Sequence, residues 1–169
     1  MAATNTFDDL IRQRAEQLRA EAARNPVDWN ERRTWWLGRI TALYEQVEGW
    51  FEPLINEQTV MAKRELLDLN EEHIGSYVSE KLVLSLAGVN LKLIPVGTLI
   101  LGGFGRIDVI GSTGRAMLIL AAENDDLPMP SRRNSAQWSL VRAGNRSQLT
   151  ALTEPVFKEL FADLISLSR

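Results

Sequence analysis

The sequence contains no cysteine, and this absence excludes disulfide bonds, thiolate catalysis and cysteine-ligated metals. It has a single histidine, His73, so any borderline-metal site or serine hydrolase triad would have to be built around that one residue. Neither a G-x-S-x-G nucleophile elbow nor a Gly-Lys-Ser/Thr phosphate-binding motif occurs. The sequence therefore offers no catalytic constellation, and we expect no metal and no other cofactor.

An excess of positive charge is also lacking. The 169 residues include 19 lysines and arginines against 22 aspartates and glutamates, a formal net charge of −3. Because duplex nucleic acid is normally bound by a strongly basic domain or stripe, we do not expect that partner. No apolar run approaches the about 18 residues that cross a membrane, and the first residues, MAATNTFDDLIRQRAEQ, resemble neither a signal peptide nor an anchor. We expect a cytoplasmic protein without a membrane partner.

What is present is a hydrophobic content of 45%, which is typical of one folded domain spanning residues 1–169. Residues 1–55 have helical periodicity and predict a helical hairpin or a kinked helix. Thr6 starts the first helix, whose apolar side carries Phe7, Ile11, Leu18 and Ala22. The second helix is predicted to start near Asn25 and Pro26 and to end at Pro53. Its apolar positions are Trp29, Trp36, Ile40, Leu43, Val47, Trp50 and Leu54.

Residues 58–143 have the short apolar runs, β-branched residues and glycine punctuation of a sheet. The predicted strands are 59–67, 73–79, 81–87, 90–95, 98–102, 105–110, 115–121 and 136–142. Connections as short as 88–90 and 111–114 leave no room for crossover helices, so the sheet should be a predominantly antiparallel meander of about six to eight strands.

A final helix at 153–167 begins at Thr153 and should pack on this sheet. Its apolar stripe consists of Phe157, Leu160, Phe161 and Leu164. The predicted fold class is α+β: two N-terminal helices, the antiparallel sheet and the C-terminal helix.

The segment 106–119 predicts a hairpin in which residue 110 opposes 115, 108 opposes 117 and 106 opposes 119. Alternation then places Arg106, Asp108 and Arg115 on one face, opposite the apolar residues of the core. One interpretation is a site for a carboxylate or phosphate, which arginine binds well. The other is a partly solvated cross-strand salt bridge.

Several further clusters have a structural interpretation beside a functional one. The glycines Gly102, Gly103, Gly105, Gly111 and Gly114 lack the following helix of a nucleotide-binding loop, and we interpret them as bends and turns. His73 is expected in a surface turn. The group Glu123, Asn124, Asp125 and Asp126 could hold calcium or magnesium weakly, but it lacks the spacing of a calcium-binding loop, and we interpret it as part of a long exposed loop, 123–135.

Four arginines, Arg132, Arg133, Arg142 and Arg146, surround Trp138 without an intervening acidic residue. Basic residues interleaved with an aromatic can bind a single strand of nucleic acid by phosphate contact and stacking. The competing interpretation is a buried tryptophan with solvated arginines.

Three functional hypotheses remain open. The first is a non-enzymatic interaction protein, such as an adaptor, immunity protein, antitoxin or chaperone, that binds another protein or a second copy of itself. It would act through the sheet or through the tryptophan-rich helix at Trp35, Trp36 and Trp50, part of which could form a homodimer interface. The second is a domain, binding or enzymatic, that holds a small anion at Arg106, Asp108 and Arg115. The third is single-stranded nucleic-acid binding through residues 132–146.

Overall fold

The computed structural model of the chain describes residues 6–24, 27–98, 103–142 and 148–166. Its helices are α1 (Phe7–Arg24), α2 (Trp29–Trp50), α3 (Glu52–Asn56), α4 (Ser131–Asn134) and α5 (Glu154–Leu164). Its strands are β1 (Val60–Glu71), β2 (Gly75–Leu86), β3 (Val89–Gly97), β4 (Arg106–Ile110), β5 (Arg115–Ala121), β6 (Gln137–Arg142) and β7 (Thr150–Ala151). The predicted α+β fold class is confirmed.

The strands form one sheet in which sequence neighbours are also spatial neighbours, in the order β1-β2-β3-β4-β5-β6-β7. Every pairing is antiparallel, as the short connections predict. The β4–β5 register pairs Arg106 with Ile119 and Asp108 with Met117, which confirms the predicted hairpin. The predicted strand 98–102 lies almost entirely outside the described residues.

The prediction of two strands at 73–79 and 81–87 is wrong, because β2 is continuous from Gly75 to Leu86. Its buried side chains change sides midway: Tyr77 and Ser79 are buried in one half, Leu82 and Leu84 in the other. The change coincides with a split in the sheet, since β2 pairs with β3 only from Leu82 onward. When the alternation of apolar and polar residues changes phase within one strand, the sequence pattern falsely predicts a boundary between two strands.

The Tyr44 hydroxyl lies in this split, where its one O–H is shared between the carbonyl oxygens of Glu80 (2.8 Å) and Leu93 (3.2 Å). Leu93 belongs to the last β2–β3 pair, with Leu82, and Glu80 lies two residues beyond that pair on β2. Burial raises the pKa of Tyr44 above its ordinary value, and the Glu80 carboxylate adds to the effect.

One face of the sheet, here called the inner face, is covered by α2 and α5. The helices contribute Trp36, Ile40, Leu43, Tyr44, Val47, Phe157, Leu160, Phe161 and Leu164 to the core. The strands contribute Leu82, Leu84, Leu91, Leu93, Ile107, Val109, Ala116, Leu118, Leu120, Trp138 and Leu140. The C-terminal helix therefore packs on the sheet through the predicted stripe.

Two glycines of the predicted turn-and-bend group are required by close packing. A Cβ on Gly105 would lie 2.2 Å from the Trp36 ring, and one on Gly111 would lie 2.3 Å from the carbonyl oxygen of Leu164. That carbonyl accepts a hydrogen bond from the Thr113 amide at 3.1 Å, so the β4–β5 turn holds the end of α5. Gly102 lies outside the described residues.

The helix starts were predicted with mixed success. Thr6 caps α1 as predicted, its hydroxyl accepting from the Asp9 amide at 3.3 Å. The second helix starts later than predicted, at Trp29, where the Asp28 carboxylate accepts from the Glu31 amide at 3.0 Å. Asn25 and Pro26 lie outside the described residues. The helix ends at Trp50, and Pro53 falls in the first turn of α3, a position that tolerates proline.

Within the described ranges, no helix combines the length and the apolar character that a membrane span requires.

Candidate functional site

The face of the sheet opposite to α2 and α5, here called the outer face, carries side chains that are absent from the core. It is defined by alternation along each strand. Its main residues are Lys63, Glu65, Lys81, Val83, Lys92, Ile94, Arg106, Asp108, Ile110, Arg115, Met117, Ile119, Ser139 and Val141.

Three cations on this face stand in one line that crosses five strands. Lys63 pairs with Val83, Val83 with Lys92, Lys92 with Ile110, and Ile110 with Arg115. We call these five residues the cationic row. Because adjacent strands are about 4.8 Å apart, successive cations of the row are spaced by about 10 Å. A lysine or arginine thus alternates with a branched aliphatic residue over about 20 Å.

The two cations at one end of the row are unpaired. Among the described residues, neither Lys92 nor Arg115 forms an ion pair. Lys63 at the other end shares Glu65 with Lys81, at 3.6 Å and 3.2 Å. The outer face therefore keeps positive charge that no neighbouring carboxylate neutralises.

The arginines of the predicted anion site do not converge. Arg106 and Asp108 form a two-point ion pair, with Nε to Oδ1 at 2.7 Å and a second contact at 3.2 Å. Arg115 stands opposite Ile110, four residues along the hairpin from the position of Arg106. Ideal strand geometry separates the Cα atoms of the two arginines by about 14 Å. The structure brings together Arg106 and Asp108 but leaves Arg115 in the cationic row.

Apolar side chains fill the spaces between these charges. Val83 and Val141 are buried, whereas Ile94, Ile110, Met117 and Ile119 are half-buried. Among the described strand residues, no aromatic ring lies between them. Tyr77 has the outer-face position by alternation, but its ring belongs to the core. The centre of the outer face is thus aliphatic and only partly shielded.

The charge of this face is opposite to that of the chain. The defining residues include five cations and two carboxylates, a surplus of three positive charges, whereas the whole chain has a net charge of −3. The remainder of the chain must therefore carry a net charge of −6. Such segregation creates a local positive potential on an acidic protein.

The predicted tryptophan surface is not continuous. Trp36 is completely buried, with its ring centre 6.0 Å from that of Trp138. Trp35 is half-buried under the Arg133 guanidinium, which lies 5.1 Å from the ring centre. Trp50 is half-buried against Phe157 at 5.8 Å. All three rings serve packing inside the chain, and Trp36 offers no exposed surface to a partner.

The arginines of segment 132–146 are attached to separate elements. Arg133 is buried in α4 and donates to the Glu31 carboxylate at 2.7 Å, so the prediction of an exposed loop at 123–135 is wrong at this residue. Arg142 pairs with Asp163 of α5 at 3.1 Å. Arg132 donates to the carbonyl oxygen of Asp125, and Arg146 lies outside the described residues. The described arginines do not form one basic strip.

A buried polar cluster at the end of the β1–β2 hairpin was not predicted. The Glu71 carboxylate accepts from the Tyr77 hydroxyl and from the amide and hydroxyl of Thr98, at 2.6 Å and 2.9 Å. Arg32 donates to the Thr98 carbonyl at 2.8 Å. Gly97 is needed beside this carboxylate, because its φ is +156° and an added Cβ would lie 2.7 Å from Oε1. The cluster joins the hairpin to β3 and α2.

This cluster has no free base. Both Glu71 oxygens are engaged, and burial together with the hydrogen bond to Glu71 raises the pKa of Tyr77. His73 lies in the turn between β1 and β2, as predicted, and stacks on Trp29 at 4.9 Å. A sequence signal existed only for the turn, because Glu71 and Thr98 are 27 residues apart and meet through the fold.

Asp125 and Asp126 of the acidic group lie in a turn. The Asn124 side chain accepts from the Asp126 amide at 2.9 Å, which is ordinary turn chemistry. In the part of the chain that the structure describes, no three histidine, aspartate or glutamate side chains are grouped to hold a metal ion.

Comparisons with protein-family models, with curated proteins and with solved structures find no match to this chain.

Proposed function

We propose that this protein is a non-catalytic interaction module that binds an acidic protein segment on its outer face. The observation that carries the proposal is the cationic row, in which Lys63, Lys92 and Arg115 alternate with Val83 and Ile110. Exposed charge surplus and partly shielded aliphatic groups together suit a partner that has acidic and apolar side chains.

An extended partner fits better than a small anion. The row is about 20 Å long, and its cations are too far apart to hold one carboxylate or phosphate. Arg106 on this face already makes two contacts to the Asp108 carboxylate. A small anion there would have to compete with an intramolecular carboxylate.

A protein segment also fits better than a single strand of nucleic acid. Strands of nucleic acid are typically bound by stacking their bases on aromatic rings. Where such a site would have aromatic rings, the outer face has aliphatic side chains, namely Ile94, Ile110, Met117 and Ile119. These groups favour aliphatic residues of a partner.

The test uses fluorescent 12-residue peptides of mixed glutamate and leucine or valine, with matched peptides in which glutamine replaces glutamate. We expect the fluorescence anisotropy to show binding of the acidic peptides and no binding of the glutamine peptides. Affinity should fall at least about tenfold between 50 and 300 mM salt, because exposed charges are screened. Equal binding of the glutamine peptides would contradict the proposal.

Single charge reversals locate the surface. Arg115→Glu and Lys92→Glu should each weaken binding about tenfold, as expected for charges at an interface. Lys158→Glu makes the same change on α5, away from the outer face, and should leave affinity within about twofold. Two other outcomes would overturn the proposal: complete competition by phosphate or citrate, or tighter binding of oligo(dT) than of the acidic peptide with the same variant dependence.

A further inference from the structure

The first helix exposes most of its large apolar side chains. In α1 the side chains of Phe7, Leu10, Ile11 and Leu18 are all largely exposed, Phe7 to 75%. Phe7, Ile11 and Leu18 lie within an arc of about 40° on one side of the helix. An isolated helix with an exposed apolar stripe is marginally stable in water, so α1 is suited to packing against another surface.

A trough between α2 and the edge strand β1 is left uncovered on the inner face. Its first depression, about 400 Å³, is lined by residues that include Leu37, Thr41, Leu66 and Val78. Its second, about 410 Å³, is lined by Glu48, Gly49, Glu52, Ile55 and Ala62. Leu66 and Val78 are 77% and 55% exposed. The apolar side chains of Leu66 and Val78 in this α2–β1 trough are therefore open to contact from outside, between polar neighbours.

The apolar stripe and the trough have the same spacing. Phe7 and Leu18 are eleven residues apart on α1, or about 16 Å along the helix axis. The α2 residues of the two depressions, Leu37 to Thr41 and Glu48 to Gly49, are centred about ten residues apart, or about 15 Å. Both large side chains can therefore enter the two depressions together.

The charges on the two surfaces are complementary and select one orientation. From Arg12 to Arg19, α1 carries three arginines and one glutamate, whereas its first turn carries Asp8 and Asp9. Two carboxylates, Glu48 and Glu52, border the second depression, whereas the first is lined by both Arg64 and Glu80. Arg64 contacts Glu48 at 2.8 Å and Glu80 at 3.8 Å, so the second depression, which also has Glu52, is the more acidic of the two. Leu18 with its arginines therefore belongs in the second depression and Phe7 in the first, so that α1 runs parallel to α2.

The parallel orientation cannot be reached within one chain. With Leu18 beside Gly49, the end of α1 would lie more than about 30 Å from Trp29, because α2 spans 22 residues. The four residues between the two helices can bridge at most about 18 Å. Helix α1 must then come from another molecule.

We infer that the protein forms a homodimer in which α1 of each chain lies in the α2–β1 trough of the other. The inner-face trough, not the outer face, is the contact, so this inference is independent of the acidic partner. In the dimer the exposed apolar side chains of α1 and the open trough cover each other.

Light scattering after size-exclusion should give twice the 19.0 kDa mass of one chain at micromolar concentration. Phe7→Asp/Leu18→Asp should raise the dimer dissociation constant at least about 100-fold, since two buried anchors become charged. Gln13→Asp/Ala23→Asp places two aspartates on the opposite side of α1 and should leave the dimer intact. A wild-type chain that is monomeric throughout, or equal effects of the two double variants, would overturn the inference.

Cross-linking tests the orientation, which a cysteine-free chain makes straightforward. Leu18→Cys and Ala62→Cys, prepared separately, mixed and oxidised, should give a disulfide-linked heterodimer in higher yield than Leu18→Cys with Lys158→Cys. Preferred cross-linking of Leu18→Cys to Leu66→Cys, or an intramolecular disulfide in Leu18→Cys/Ala62→Cys, would overturn this orientation.

Arg115→Glu should bind acidic peptide weakly and still dimerise, which separates this inference from the proposed function.

Discussion

The two faces of the sheet are built from the same strands but differ in burial and in charge. The inner face is covered by α2 and α5, and most of its side chains are fully buried. The outer face keeps half-buried aliphatic residues between lysines and arginines. Free energy of folding should depend mainly on the inner face, and partner binding on the outer face. Paired substitutions at neighbouring positions can break or sharpen this contrast.

The largest expected difference concerns two adjacent residues of β5. Leu118 is completely buried on the inner face, whereas Met117 is half-buried on the outer face. Leu118→Ala should lower the free energy of unfolding by about 2 to 5 kcal/mol, because it leaves a cavity in the core. Met117→Ala should cost less than about 1.5 kcal/mol. Urea denaturation measures the free energy of unfolding of both variants. Equal decreases would show that the outer face contributes to folding stability as much as the core does.

A second pair tests the contact between the β4–β5 turn and α5. Gly111→Ala would place a methyl group 2.3 Å from the Leu164 carbonyl oxygen, and Gly114→Ala would place one 3.5 Å from a Leu164 methyl group. The first should destabilise by about 1 to 3 kcal/mol through overpacking. The second is an ordinary contact and should change stability by less than about 0.5 kcal/mol. The reverse ranking in thermal or urea unfolding would contradict this packing.

The third prediction concerns alkaline pH. Burial raises the pKa values of Tyr44 and Tyr77 in the folded chain above the unfolded value of about 10. The unfolded chain therefore releases these protons first, so their contribution to stability is complete below about pH 10 and is lost as the pH rises further. Each tyrosine should lower the free energy of unfolding by up to about 1.4 kcal/mol per pH unit in that range.

Tyrosinate absorbance and urea denaturation between pH 9 and 12 measure this effect. The chain has only these 2 tyrosines, so the absorbance change is simple to assign. Tyr77→Phe should reduce the pH dependence by about half. Half-ionisation of both tyrosines near pH 10 in the folded protein would contradict their burial.

The smallest effect on stability is expected at Asp108. Its ion pair with Arg106 is partly exposed, so Asp108→Asn should cost less than about 1 kcal/mol. The same change removes a carboxylate from the outer face and should strengthen binding of the acidic peptide about threefold. Asp163→Asn, which acts on Arg142 away from this face, is the matched control. Unchanged binding in Asp108→Asn would argue against a charge-driven contact there.

Features that depend on local pattern were predictable from the sequence. The hairpin register around Asp108 follows from strict alternation and a turn marked by glycines. The stripe of α5 follows from helical spacing after the cap at Thr153. In both segments a single buried face determines the pattern, so neighbouring residues contain all the information.

Features that depend on distant contacts were not predicted. The phase change in β2 depends on tertiary contacts: Tyr77 in its first half bonds to Glu71, whereas Leu82 and Leu84 in its second half pack in the core under the helices. The cationic row requires the registers of five strands at once, and a shift of one residue in any of them would move a cation to the other face. Once the turns at 72–74 and 87–88 are placed, however, alternation would align Lys63, Val83 and Lys92.

The most direct test of the central claim measures peptide affinity and the free energy of unfolding on one preparation of Arg115→Glu. We predict that affinity for the acidic peptide falls about tenfold while the free energy of unfolding stays within about 0.5 kcal/mol of wild type. Wild-type affinity in this variant, or a loss of binding explained by a comparable loss of stability, would contradict the assignment of the outer face as the binding surface.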